Sequence, residues 1–94
     1  MSEFFIDRQQ RQHKEWRAKR LYEMRLEYMA HVISDEIARA NKDWQLALRH
    51  QDKARGVTRR LFNQYAPDVA GELLTEWREE AIQRARSAQR EVQS

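Results

Sequence analysis

Leu21-Tyr22-Glu23-Met24-Arg25-Leu26-Glu27-Tyr28-Met29-Ala30-His31-Val32-Ile33 is the stretch that decides how this chain folds. At ~100° per residue, Tyr22, Leu26, Met29, Ile33, Ile37 and Ala40 form one helical stripe at spacings of three and four. Leu21, Met24, Tyr28 and Val32 lie beside it and widen the apolar arc to well over half the circumference. A helix that buries one side needs an arc of about 100° or slightly more. The stretch therefore predicts a helix that touches two neighbours, as the centre of a three-helix bundle or as one face of a dimer.

Working outward, Tyr65-Ala66-Pro67-Asp68 is the clearest boundary. Proline disfavours helix at the residue before it and fits the first helical turn. A last helix is expected from Pro67. Asn41-Lys42-Asp43 is a weaker boundary, with Asn41 as the expected cap and Asp43 in the first turn. Ser34-Asp35 is the weakest. The expected helices span 7–40, 43–65 and 67–91. Without a break at Asn41 the first two would merge into a rod with one returning helix. In the middle helix Trp44, Ala47, Ala54, Val57, Leu61, Phe62 and Tyr65 share a face. In the last, Ala70, Leu73, Leu74, Trp77, Ala81, Ala85, Ala88 and Val92 do so. Trp44 and Trp77 are both expected in the core.

Composition agrees with this outline. The chain has 94 residues with 2 Gly, 1 Pro and no Cys. So few turn formers exclude all-β and Rossmann-type folds. Arg, Ala, Glu, Gln and Leu are abundant and favour helix. Three Trp, three Tyr and three Phe argue against disorder. The expected fold is all-α, a small three-helix bundle with a long first helix, in a single domain over 1–94, assembled as a homodimer. The lack of Cys excludes a disulfide framework, a thiolate metal site and a cysteine nucleophile. No run approaches the ~20 apolar residues of a membrane span, and the N-terminus lacks the basic start of a secretory signal. A soluble, cytoplasmic protein with no membrane partner is expected.

Lengths add a second feature. At 1.5 Å per residue the first helix would be about 50 Å long and the others about 35 Å. The first then overhangs its partners, with residues 1–19 as a polar arm whose one large apolar side chain within 7–19 is Trp16. Phe4-Phe5-Ile6 either folds back as a hydrophobic staple or joins Trp16 as an apolar anchor for a partner.

Charge is distributed unevenly. The net charge of +3 is the remainder of +2 over 1–33, +3 over 34–65 and −2 over 66–94. Residues 8–25 hold Arg8, Arg11, Lys14, Arg17, Lys19, Arg20 and Arg25 against two acids, but on a helix these point all around. Arg49, Lys53, Arg59 and Arg60 gather on the middle helix, with Arg59 at the margin of the face opposite its apolar stripe. Arginine suits bidentate contact with phosphate or carboxylate, so this face fits a nucleic-acid backbone or an acidic protein. Glu72, Glu76, Glu79 and Glu80 gather on the last helix. Glu72–Glu76 and Glu76–Glu80 are like-charge i,i+4 pairs, which a basic partner would relieve.

Catalytic patterns are nearly absent, and no cofactor is implied. There is no Gly-rich phosphate loop and no His-Glu-x-x-His pair. Glu27, His31 and Asp35 fall along one side of a helix at i, i+4 and i+8, but with no ligand on a second helix they read as ordinary surface pairs. His13 and His50 read as solvated.

Gly56-Val57-Thr58-Arg59-Arg60-Leu61-Phe62-Asn63-Gln64-Tyr65 resembles the turn and recognition helix of tetracycline-repressor-type DNA-binding domains. The likeness covers about ten residues. It departs from that pattern where the aromatics come one residue early and where Asp52 replaces a small apolar residue. An uninterrupted helix through Gly56, at ~1 kcal/mol relative to Ala, accounts for the segment equally well. The expected function is non-enzymatic binding through protein–protein contact, as an adaptor, assembly factor or inhibitor. Contacts would use Arg49, Lys53, Arg59 and Arg60, or Glu72, Glu76 and Glu80, with Phe4, Phe5 and Trp16 as the apolar anchor. The alternative is direct nucleic-acid binding through the Arg/Lys face, as part of a regulator or nucleoprotein complex.

Overall fold

In a computed structural model the chain forms three helices, α1 (Ser2–Ala40), α2 (Trp44–Gln64) and α3 (Pro67–Gln93), with no strand among the described residues. The backbone is described over 2–93 and the side chains over 14–91. Phe4, Phe5, Ile6, Arg8, Arg11, His13 and Val92 therefore have side chains outside the described residues. α1 begins five residues earlier than expected, so Phe4-Phe5-Ile6 belongs to the helical backbone rather than to a folded-back staple.

The turn at Asn41–Asp43 separates α1 from α2 and rules out the merged rod. Lys42 adopts φ 59°, a left-handed conformation. The Asp43 N–H bonds to the Ala38 carbonyl at 2.8 Å and the Lys42 N–H to the Arg39 carbonyl at 3.0 Å, the pattern of a Schellman cap. Asp43, not Asn41, then caps α2, its side chain accepting the Leu46 N–H at 3.2 Å. Ser34-Asp35 does not interrupt α1, which is helical throughout. Pro67 opens α3 as expected, with Asp68 beside it in the first turn.

α2 doubles back along α1, since Arg60 meets Glu27 while Gln51 meets Asp35. α3 then crosses α1, where Trp77 packs on Tyr28 with ring centroids 6.2 Å apart. Both α2 and α3 pack on α1 far more than on each other, so α1 is the central element its wide apolar arc predicted. The core joins Met24, Tyr28, Met29 and Val32 of α1 to Val57 and Leu61 of α2 and to Ala70, Trp77 and Ala81 of α3. The alanines on α3 allow its close approach.

The buried side of α1 differs from the stripe read first. Met24, Tyr28 and Val32 face the core together with Met29 of that stripe, and Ile33 packs against it, whereas Tyr22, Leu26 and Ile37 stay 55%, 44% and 37% exposed. Two helices cover less than the whole arc, and they settle on its Met24–Tyr28–Val32 side. Trp44 is not core but 60% exposed. It is the first residue of α2, level with the end of α1, where no further turn of α1 remains to cover it. Phe62, Ala40 and Ala88 are likewise exposed.

Candidate functional site

Helical spacing places Arg49, Lys53 and Arg60 together on the outer side of α2, with Arg59 at its margin, and all four are exposed. Arg60 reaches α1 and donates to Glu27 at 2.8 Å, so it is restrained by a carboxylate. Arg49, Lys53 and Arg59 carry no ion pair among the described residues. The basic face is thus three unpaired cations beside one paired one.

The acidic face of α3 divides in the same way. Glu72, Glu76 and Glu79 are exposed and line a shallow depression floored by Gly71 and Thr75. Glu80 turns inward. It accepts from Arg25 at 2.6 Å and from Arg84 at 2.7 Å. The hydrogen bond from Arg25, together with nearby positive charge, holds the Glu80 carboxyl below its ordinary range, and the same bond raises the Arg25 guanidinium. Glu80 therefore locks α3 to α1 rather than completing a free acidic face. Trp16 is 57% exposed and shares a recess with Arg17, Arg20, Gln64 and Tyr65, beside the end of α2.

A feature that the sequence reading missed lies between α1 and α2. His31 and His50 place their Nδ1 atoms 3.1 Å apart, one ring donating to the other. His50 is half-buried, not solvated, because it falls opposite His31 in the antiparallel register. Burial chiefly, then the charges of His50 and Lys53, push the His31 pKa down. The pair lines a groove of about 400 Å³ that also includes Tyr28, Asp35, Arg39, Arg55, Thr58 and Arg78. Buried Asp35 accepts from Gln51 at 3.0 Å and pairs with Arg39 at 3.2 Å. Glu27, His31 and Asp35 are thus each held by a different partner. Among the described residues no three His, Asp or Glu side chains come together around a point that could hold a metal.

α2 is continuous through Gly56, with no turn there, so the local resemblance to a tetracycline-repressor-type recognition element does not extend to its geometry. Among the described residues no helix is long and apolar enough to cross a membrane. In comparisons with known proteins, no family model matches this chain, and no curated protein or solved structure matches it.

Proposed function

We propose that this is a small helical binding protein without catalytic activity. It acts in the cytoplasm as a homodimer, through contact with another protein, as an adaptor, assembly factor or inhibitor. The observation that carries this reading is the stripe of Tyr22, Leu26 and Ile37 that α2 and α3 leave uncovered on α1. Apolar side chains exposed along one helix face are the material of helix–helix contact between proteins. Arg49, Lys53 and Arg59 on α2 and Glu72 and Glu76 on α3 are exposed and form no salt bridge among the described residues, so they offer opposite charges to a partner. Charge of this kind governs partner choice and encounter rate more than affinity. Arg60 and Glu80 contribute less to contact because each already holds α1. Phe4, Phe5 and Trp16 remain the proposed apolar anchor.

The test is affinity capture from the native host with the full chain, followed by capture with Arg49→Glu/Lys53→Glu and with Glu72→Lys/Glu76→Lys. One reversal is expected to abolish retention of a defined partner while the other preserves it. Retention of the same proteins by both reversal variants would overturn the reading.

The three unpaired cations on α2 also favour a second reading, nucleic-acid binding. Random duplex and single-stranded oligonucleotides, tested at ~50 mM and ~200 mM salt, distinguish the two. Steep salt dependence lost in Arg49→Ala/Lys53→Ala/Arg59→Ala would replace the protein-contact reading. No retention at the lower salt would remove nucleic acid.

A further inference from the structure

We propose that the outer stripe of α1 seats a second copy of this chain, with the basic N-terminal half of the copy's α1 lying beside Glu72 and Glu76. This rests on the homodimer reading and names its seam.

The area comes first. A compact monomer of 11.4 kDa exposes about 5,800 Å², whereas this chain exposes 7724 Å². The difference, roughly 1,900 Å² per chain, reflects the elongated shape, which presents long side faces of the size a standard interface of about 1,600 Å² shared between two partners requires. Part of that surface is the stripe of Tyr22, Leu26 and Ile37, half-exposed on the central helix.

Charge identifies the occupant. Lys14, Arg17 and Lys19 are exposed, lie on the same helix as the stripe, and carry no ion pair among the described residues. Glu72 and Glu76 are exposed and form no salt bridge among the described residues. The Arg25–Glu80 bond at 2.6 Å brings α3 against α1 one turn from Tyr22, and Glu76 and Glu72 lie one and two turns before Glu80 on α3. A seat that is apolar along one edge and acidic along the other matches a helix carrying lysine and arginine. This chain supplies such a helix itself. Since seat and occupant share one chain, a two-fold axis forms the contact twice, as closed dimers require.

The experiment measures mass in solution by sedimentation equilibrium on the full chain at about 50 mM salt, where exposed charges are weakly screened. Helicity by circular dichroism accompanies each variant. The face reversal is Glu72→Lys/Glu76→Lys and the arm reversal is Lys14→Glu/Arg17→Glu/Lys19→Glu. The wild type is expected to be a dimer. Each reversal is expected to weaken it by about tenfold or more, since like charges then meet across the seam. An equimolar mixture of the two variants is expected to dimerise again, because the mixed pair restores opposite charges at both contacts. Dimers that persist in both reversals, or a mixture that stays monomeric, would overturn this seam while leaving the homodimer reading intact. A monomeric wild type would overturn both. If that monomer binds a leucine-striped helical peptide flanked by lysine but not one flanked by glutamate, the seat belongs to another protein.

Discussion

At the scale of single residues, His31 and His50 make the sharpest prediction. The folded state favours neutral His31, because burial, His50 and Lys53 all oppose its charge while Glu27 only partly favours it. Arg39, Arg55 and Arg78 line the same groove and add positive potential, against Asp35 and Glu36. A base whose folded pKa is depressed gives full stability above its unfolded value near 6.5, and that stability is lost as pH falls through it. The urea midpoint is therefore expected to drop between about pH 7 and pH 5, and His50→Gln should flatten that slope. An NMR titration placing His31 at or above the ordinary value would refute this depression and the pH dependence built on it. Glu80 acts in a separate window. Its carboxyl is depressed, so its contribution is present above the ordinary carboxylate range and is lost only in stronger acid. Packing predictions follow burial just as directly. Leu61 is 0% exposed, so Leu61→Ala should cost about 2–5 kcal/mol in denaturant unfolding. Trp44→Ala, at an exposed site, should change stability by no more than about 0.5 kcal/mol.

At the scale of elements, each boundary reflects a local conflict resolved by one residue. Lys42 takes a left-handed conformation that glycine or asparagine adopts at less cost, so Lys42→Gly is expected to stabilise by about 0.5–1 kcal/mol. Asp43→Ala removes the α2 cap and should cost about 1 kcal/mol. Gly56 is helical, and a β-carbon there would meet nothing within 4 Å. Gly56→Ala should therefore stabilise by about 0.5–1 kcal/mol, whereas a turn at that position would be harmed by the change. These same elements show how far the sequence could be read. Pro67 fixes φ and lacks an N–H, so its boundary is legible from chemistry alone. Asn41 and Asp43 are both good caps. Choosing between them requires the Schellman geometry, which depends on where α1 ends. The wide arc of α1 was legible as a two-neighbour helix, but which part of it would be buried was not. That choice depends on the approach of α2 and α3, which helical periodicity does not encode. For the same reason the charged faces were visible in sequence, whereas the diversion of Arg60 to Glu27 and Glu80 to Arg25, and the meeting of the two histidines, depend on inter-helix register.

At the scale of the whole molecule, shape and core size belong together. The chain extends over 62 × 27 × 20 Å with a radius of gyration of 17.4 Å, against about 13 Å for a compact domain of similar length. A 39-residue central helix flanked by shorter ones makes a rod, and a rod encloses little. The buried set reflects this, with Ala38, Ala47, Ala70, Ala81 and Ala85 among its members and few large side chains fully enclosed. A small chain with a thin core often gains its remaining stability by assembly. If the α1 stripe is a seam between copies, association and folding are linked, and the folded state is favoured as concentration rises. The urea midpoint should then increase across about 1–100 µM protein, in the direction mass action requires. In Leu26→Glu, whose altered side chain lies on the exposed stripe outside the core, that dependence should vanish, with helicity retained at low concentration. A midpoint independent of concentration in the wild type would mean that the stripe plays no part in self-association. The thin core of a single chain would then account for the whole of its stability.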